Sequence, residues 1–213
     1  MPYAIVMHIE EKTAPRIAML WDILAEKDAD GQVKFSDEQL RFNYRPHVTL
    51  AVVDDAADPD VLVETLKPIV AGWKPLPISF DSIAVLPRKP IAPMIVRPNV
   101  TTEILKLHKE VFDVLPSNST AVYHRPNAWQ PHVTLARDIP SEKLGDALTA
   151  VLERWNAFET TLDQVAVVYF RQQQGRSGDV REVWRVRLSN PVSRKRPSRR
   201  RPKIRTAGPT HPS

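Results

Sequence analysis

The sequence predicts an α+β fold of two similar halves, with mostly antiparallel sheets around a central cleft and helices on the outside. Two observations support this prediction. Strand and helix patterns alternate within each half, and the last two strand patterns of each half are separated by turn residues, as in hairpins. The string Pro-His-Val-Thr-Leu also occurs twice, at residues 46–50 and 131–135. An exact repeat of this kind indicates an internal duplication with one motif strand per half.

The individual elements follow from apolar spacing and from turn residues. For the first half they are a strand at 3–9, a helix at 12–27, the first motif strand at 47–53, a helix at 58–73, and a strand pair at 78–86 and 94–97. For the second half they are a helix at 101–115 capped by Thr101, a loop at 116–130, the second motif strand, a helix at 141–155 capped by Ser141, and two closing strands joined by residues 172–179.

The composition is that of a folded body without membrane spans. The chain has 213 residues, of which 42% are hydrophobic, and no run of about 18 apolar residues. Its N-terminus begins as a strand and lacks the pattern of a secretion signal. The chain has no cysteine, which excludes disulfides, thiolate metal ligands and cysteine nucleophiles. We therefore expect a cytoplasmic protein.

The charge is divided unevenly between body and tail. Residues 191–213 carry eight basic residues and no acid, so the net charge of +5 becomes −3 for residues 1–190. The tail also has five prolines and little apolar surface, and we expect it to be disordered, after a two-lobed domain at 1–190. The tail is either an arm that binds nucleic acid through phosphates or a solvated segment with no dedicated partner.

The repeated motif combines an apolar face with a reactive one. Because strand side chains alternate, His47 and Thr49 share one face while the valine and leucine between and after them share the other, and His132 and Thr134 repeat this arrangement. Histidine transfers protons near neutral pH, and threonine hydroxyls can donate to phosphoryl oxygens. The alternative is that His47 and His132 are ordinary half-buried strand histidines without a function. The occurrence of two matched copies of the motif makes this alternative less favoured. Because the two motifs are identical, the sequence does not assign which histidine is the acid.

The remaining histidines and aromatics are weaker candidates. A core position suits His8 better than the border of a cleft, and a surface loop suits His124 better than substrate contact. No histidine pair has the spacing of a helical zinc motif, so we expect no metal site. Five aromatic residues could stack on bases, although core packing explains most of them equally well: Phe42, Tyr44, Trp129, Tyr169 and Phe170.

The two His-Val-Thr-Leu strings, whose histidines are 85 positions apart, resemble the signature of the two-histidine (2H) phosphoesterase superfamily. Within it, the chain looks most like the RNA 2′,3′-cyclic phosphodiesterases, also called the 2′-5′ RNA ligase family. The resemblance implies a bilobal fold, no metal or cofactor, and catalytic roles for His47, Thr49, His132 and Thr134. It also implies substrate binding by Arg137, although strict alternation places Arg137 away from the cleft unless the strand bends.

The expected function is hydrolysis of 2′,3′-cyclic phosphate at RNA ends or in small cyclic nucleotides. We expect the protein to be a monomer that does not associate with membranes. The resemblance implies the 2′-phosphate as product. Two alternatives stay open, namely 2′-5′ phosphodiesterase or 2′-5′ RNA ligase activity, and a non-catalytic module that binds nucleotides or RNA ends. Four motif residues together favour an enzyme, and the chain has no Gly-x-x-x-x-Gly-Lys-Ser/Thr string for ATP-driven ligation.

Overall fold

The structure, a computed structural model, describes residues 3–53, 58–86, 91–115, 122–173 and 176–189. Within these ranges lie seven strands, five α-helices and two short 3₁₀ helices. In chain order they are β1 (Tyr3–Ile9), α1 (Ala14–Leu24), α2 (Glu38–Arg41), β2 (His47–Val53), α3 (Pro59–Val70), β3 (Leu76–Val85), β4 (Ile91–Pro98), α4 (Thr102–Val114), a 3₁₀ helix (Val122–His124), β5 (Val133–Pro140), a 3₁₀ helix (Ser141–Lys143), α5 (Leu144–Leu152), β6 (Phe158–Gln173) and β7 (Arg176–Arg187). The predicted basic tail lies outside the described residues.

The predicted α+β class with antiparallel strands is confirmed, but the strands form one sheet. Its order is β2–β1–β6–β3–β4–β5, and every pairing is antiparallel. The long strand β6 connects the two sets of strands, because it pairs with β3 through its first residues and with β7 through later ones. The β6–β7 hairpin therefore borders β1, and the β3–β4 hairpin borders β5. The first motif strand, β2, is therefore on the same side of the sheet as the hairpin of the second half, and the second motif strand, β5, borders the hairpin of the first half.

The two motif strands form the two ends of this strand order. Even so, residues of β2 and β5 approach one another within 8 Å between Cα atoms. The sheet must therefore curve until its ends meet, in keeping with the twist that all sheets carry. The motif strands thus become neighbours although they do not pair.

The helices cover the sheet with amphipathic faces. Helix α1 buries residues at helical spacing, Ile17, Leu20, Trp21 and Leu24. Helix α4 buries Ile104, His108 and Val111, and the Thr101 hydroxyl accepts a hydrogen bond from the Ile104 N–H at 3.3 Å, as the predicted cap requires. None of the helices within the described ranges is long and apolar enough to cross a membrane.

The structure corrects three sequence predictions. Ser141 is not an α-helical N-cap, since it opens the 3₁₀ helix and the α-helix begins only at Leu144. The predicted linker 172–179 is largely strand, because β6 and β7 continue to Gln173 and from Arg176. The sequence prediction also omitted α2, a helix of four residues that is too short to show a periodic pattern.

Candidate active site

Both motifs show the alternation that the repeat predicts. In the first, His47 pairs with His8 and Thr49 pairs with Val6, both across β1. His47 and Thr49 are half-buried, whereas the valine and leucine of the motif are buried. In the second, His132 directly precedes β5, Thr134 is likewise half-buried, and the two apolar residues are again in the core. Each motif therefore presents one imidazole and one hydroxyl from an edge strand.

The two imidazoles are anchored in the same way. His47 Nδ1 lies 2.6 Å from the Arg45 carbonyl oxygen, and His132 Nδ1 lies 2.7 Å from the Gln130 carbonyl oxygen. In both cases the acceptor is the carbonyl two residues earlier, so Nδ1–H is the donor. In a neutral ring this tautomer makes Nε2 the proton acceptor.

The surroundings of His47 favour its neutral form. Burial lowers its pKa to about 4, against the opposing effect of the hydrogen bond to the Arg45 carbonyl. The positive charges that His8, His132 and Arg137 carry when protonated each add a smaller lowering. His47 is therefore neutral at neutral pH. The approach of β2 to β5 is the reason that charges of the second motif act on His47.

A β-bulge turns Arg137 toward His47. Thr134 pairs with Ile95 and Ala136 pairs with Met94, so Leu135 is an extra residue between two consecutive partners on β4. Ala136 consequently faces the core, and Arg137 lies on the Thr134 side, opposite to the side that strict alternation predicts. The first motif has the same bulge at Leu50, between Thr49 and Ala51.

The Arg137 side chain is held by α2 and by the segment that follows it. Its guanidinium forms an ion pair with the buried carboxylate of Glu38 and donates to the Tyr44 hydroxyl at 3.1 Å. The Tyr44 ring in turn stacks on His47, with 6.0 Å between ring centroids. No sequence pattern indicates Glu38 or this use of Tyr44, because both contacts with Arg137 span more than 90 residues.

His8 is a core histidine next to the site, as the sequence favoured. It is 2% exposed, and its ring meets that of His47 edge to face at 6.1 Å. Its Nε2 lies 2.8 Å from Glu182 Oε1, but neither ring nitrogen has a hydrogen bond of good geometry with a described residue. Burial first, and then the charge of Arg45, lowers the pKa of His8 to about 4.

The other candidates divide between core and site. His124 is half-buried in its 3₁₀ helix, and burial, followed by the charge of His132, lowers its pKa to about 4. Trp129 is buried and stacks on His108 at 3.9 Å, so it offers no open surface for a base. Phe170 is half-buried and packs 6.0 Å from Tyr44. Across the described ranges, no group of three or more His, Asp or Glu side chains is arranged to hold a metal ion.

Comparisons with known proteins identify a family and a fold. The model of the 2′-5′ RNA ligase superfamily matches residues 15–174, more than half of the chain. No curated protein matches. Among solved structures, TT0787 of Thermus thermophilus is similar with a TM-score of 0.59 at 13% identity, covering 88% of this chain and 98% of that one.

Two structures of E. coli LigT show the same fold. The complex with 3′-AMP has a TM-score of 0.53 at 12% identity, covering 89% of this chain and all of the other. The complex with NADP+ has a TM-score of 0.51 at 12% identity, covering 88% and 97%. At these identities the structural likeness shows the fold, while the family match extends through both motifs. The chain belongs to the 2′-5′ RNA ligase superfamily, the 2H phosphoesterases.

Proposed function

We propose that this protein is a metal-independent phosphodiesterase that opens 2′,3′-cyclic phosphate at RNA ends or in small cyclic nucleotides. The observation that supports the proposal is the close approach of β2 and β5, the edge strands whose motifs carry two identically anchored histidines, two threonines and Arg137. The proposed site is a cleft between two lobes, one around each motif strand. E. coli LigT has been solved with 3′-AMP, NADP+ and ATP, which supports a nucleotide as the ligand of this cleft.

The lowered pKa of His47 suggests how the two histidines divide the chemistry. Neutral His47 would accept a proton from water through Nε2 while the water oxygen attacks phosphorus. The bond from phosphorus to the 3′ oxygen then breaks, and His132 gives its proton to that oxygen, which leaves a 2′-phosphate and a 3′ hydroxyl. Thr49, Thr134 and Arg137 would stabilise the charge that grows on the phosphoryl oxygens. Transfer of a proton from His47 to solvent and from solvent to His132 then restores both rings for the next turnover.

The test is a product assay on a short RNA with a 2′,3′-cyclic end, in the presence of a metal chelator, with products separated by chromatography. We expect conversion to the 2′-phosphate at the rate seen without chelator. Loss of turnover that zinc or manganese restores would contradict a metal-independent mechanism. Tight binding of the RNA without any turnover would support a binding module instead. A 2′-5′ linked dinucleotide in the same assay tests phosphodiesterase and ligase activity.

We further propose that the protein acts as a cytoplasmic monomer, which gel filtration and cell fractionation would check.

A further inference from the structure

Two tryptophan side chains bind equivalent main-chain atoms in the two motifs. The Trp129 indole N–H donates to the Thr49 carbonyl oxygen at 2.9 Å, and the Trp21 indole N–H donates to the Thr134 carbonyl oxygen at 3.1 Å. The contacts are reciprocal between the halves. Trp21 lies in α1, before the first motif, and binds the second, whereas Trp129 lies just before the second motif and binds the first.

The two carbonyls need a partner for the same reason. β2 and β5 are edge strands, so among the described residues one side of each has no neighbouring strand to supply hydrogen bonds. Each carbonyl also belongs to the residue directly before the bulge, at Leu50 or Leu135, where the ladder is interrupted. A buried carbonyl without a donor is costly, and in each copy an indole supplies the donor. The donors come from a helix and from a loop, so the repeat alone does not explain their convergence.

We propose that Trp21 and Trp129 are positioning residues that fix how the two motif strands face one another across the site. Each indole holds the peptide group that follows a motif threonine, and it thereby fixes the direction of that threonine and of the bulge beyond it. Trp129 itself is held by its stack on His108, whose Nε2 is 2.9 Å from the His124 carbonyl oxygen. The proposal rests on the proposed function only in treating the motif residues as catalytic.

The first experiment measures position rather than activity. Imidazole NMR signals are recorded in histidine-labelled protein for Trp21→Phe, Trp129→Phe and the control Trp73→Phe. Trp73 is a matched control because it is buried to a similar degree, 7% exposed against 3% and 8%, and its indole donates to Glu110 at 2.7 Å. We expect a crossed pattern, in which Trp129→Phe shifts the His47 signals and Trp21→Phe shifts those of His132. The control should shift neither.

The second experiment measures kcat and KM for the hydrolysis of adenosine 2′,3′-cyclic phosphate. Because small misplacements of catalytic groups lower rates steeply, we expect each indole variant to lose about tenfold or more in kcat. KM should stay within about twofold, since the groups that contact substrate are retained. Loss of kcat together with the crossed NMR pattern supports positioning. If the variants show the crossed NMR pattern but the wild-type protein has no turnover, the proposed function is contradicted and the positioning role is still supported.

A third measurement needs no variant and covers the case in which the variants fail to fold. In wild-type protein titrated with 3′-AMP, the indole N–H signals of Trp21 and Trp129 should shift while that of Trp73 stays in place. Indole signals that do not respond to bound nucleotide would overturn the proposal. So would variants whose histidine signals and kcat match those of Trp73→Phe, since the indoles would then only fill space.

Discussion

At the scale of single residues, two identical motifs have become unequal through their surroundings. His47 stacks on Tyr44, meets His8 edge to face, and has its pKa lowered to about 4. The second motif instead carries Arg137, where the first has Val52 at the matching position after the bulge. The two histidines therefore differ in their surroundings before any substrate binds.

The lowered pKa of His47 predicts the acid limb of the pH profile. kcat/KM reports the free enzyme, and a base must be neutral to act. Activity should therefore persist as pH falls through 6.5 and should be lost only toward pH 4. His47→Ala should lower kcat at least about a hundredfold and abolish this limb. An acid limb near 6.5 in wild-type protein would argue against neutral His47 as the base.

His8 predicts a pH dependence of stability. Its pKa is lowered in the folded state, so between pH 6.5 and 4 the unfolded chain binds more protons than the folded one, and stability falls as pH falls through this window. Burial is the main cause of the shift, and the charges of Arg45 and Arg185 add to it. The carboxylates of Asp163 and of Glu182, whose Oε1 lies 2.8 Å from His8 Nε2, act in the opposite direction. The full shift corresponds to a loss of about 3 kcal/mol below pH 4.

The variant His8→Asn should flatten this dependence. Urea unfolding of the wild-type protein and of the variant, measured from pH 7 to pH 4, gives the comparison. Burial also lowers the pKa of His108, so His108→Asn should remove a separate part of the same dependence. A wild-type stability that is constant across this window would contradict the assignment of His8 as a neutral core histidine.

At the scale of elements, a bulge decides what the second motif can reach. The sequence correctly predicts the motif strands, because the alternation of apolar and polar residues is short-range information. It does not predict the bulge, because nothing in the residues themselves distinguishes Leu135 from a regular strand leucine. The position of Arg137 depends on that bulge, so its side of the strand could be read only from the pairing with β4.

Helix α2 shows the same limit from another direction. Its four residues carry no periodic pattern, yet they bring Glu38 to Arg137 across nearly a hundred positions of sequence. Contacts of this kind depend on how the whole chain packs. The sequence could therefore name the histidines and threonines but not the carboxylate that holds the arginine.

The Glu38–Arg137 pair gives a prediction for α2. The carboxylate is 7% exposed, and Glu38→Gln would leave the guanidinium without its charged partner. We expect a loss of about 1–3 kcal/mol in the free energy of unfolding. The matched control is Glu64→Gln, which breaks the exposed ion pair with Lys67 on α3 and should change stability by less than about 0.5 kcal/mol. Equal effects of the two variants would show that the buried pair has no special role.

At the scale of the whole molecule, the charge difference between body and tail predicts that the body carries out cleavage and the tail adds affinity for RNA. Residues 1–190 carry −3 and residues 191–213 carry +8. We propose that deleting 191–213 leaves cleavage of small cyclic nucleotides intact and weakens binding of longer RNA. Each phosphate contact to a single strand adds about 0.7 to the slope of log affinity against log salt. If half of the eight basic residues contact phosphates, the deletion should lower this slope by about three units.

The measurement is RNA binding at several salt concentrations, for full-length and truncated protein, on one long RNA and one mononucleotide. The mononucleotide is the internal control, because it is too small to reach both the cleft and the tail. Identical salt slopes on the long RNA would mean that the tail takes no part in RNA binding.

The exchange of hairpins between the halves has a consequence for how such a molecule could arise. Neither repeat closes its own sheet, because β1 is completed by β6 and β7 while β5 is completed by β3 and β4. A single repeat with this connectivity could bury the same surfaces only by trading its hairpin with a second copy, as a domain-swapped homodimer with two-fold symmetry. Joining two such copies end to end would turn an association that depends on concentration into an intramolecular one. A fusion of this kind would produce the connectivity seen here, and the two halves would then be free to differ, as they do at Val52 and Arg137.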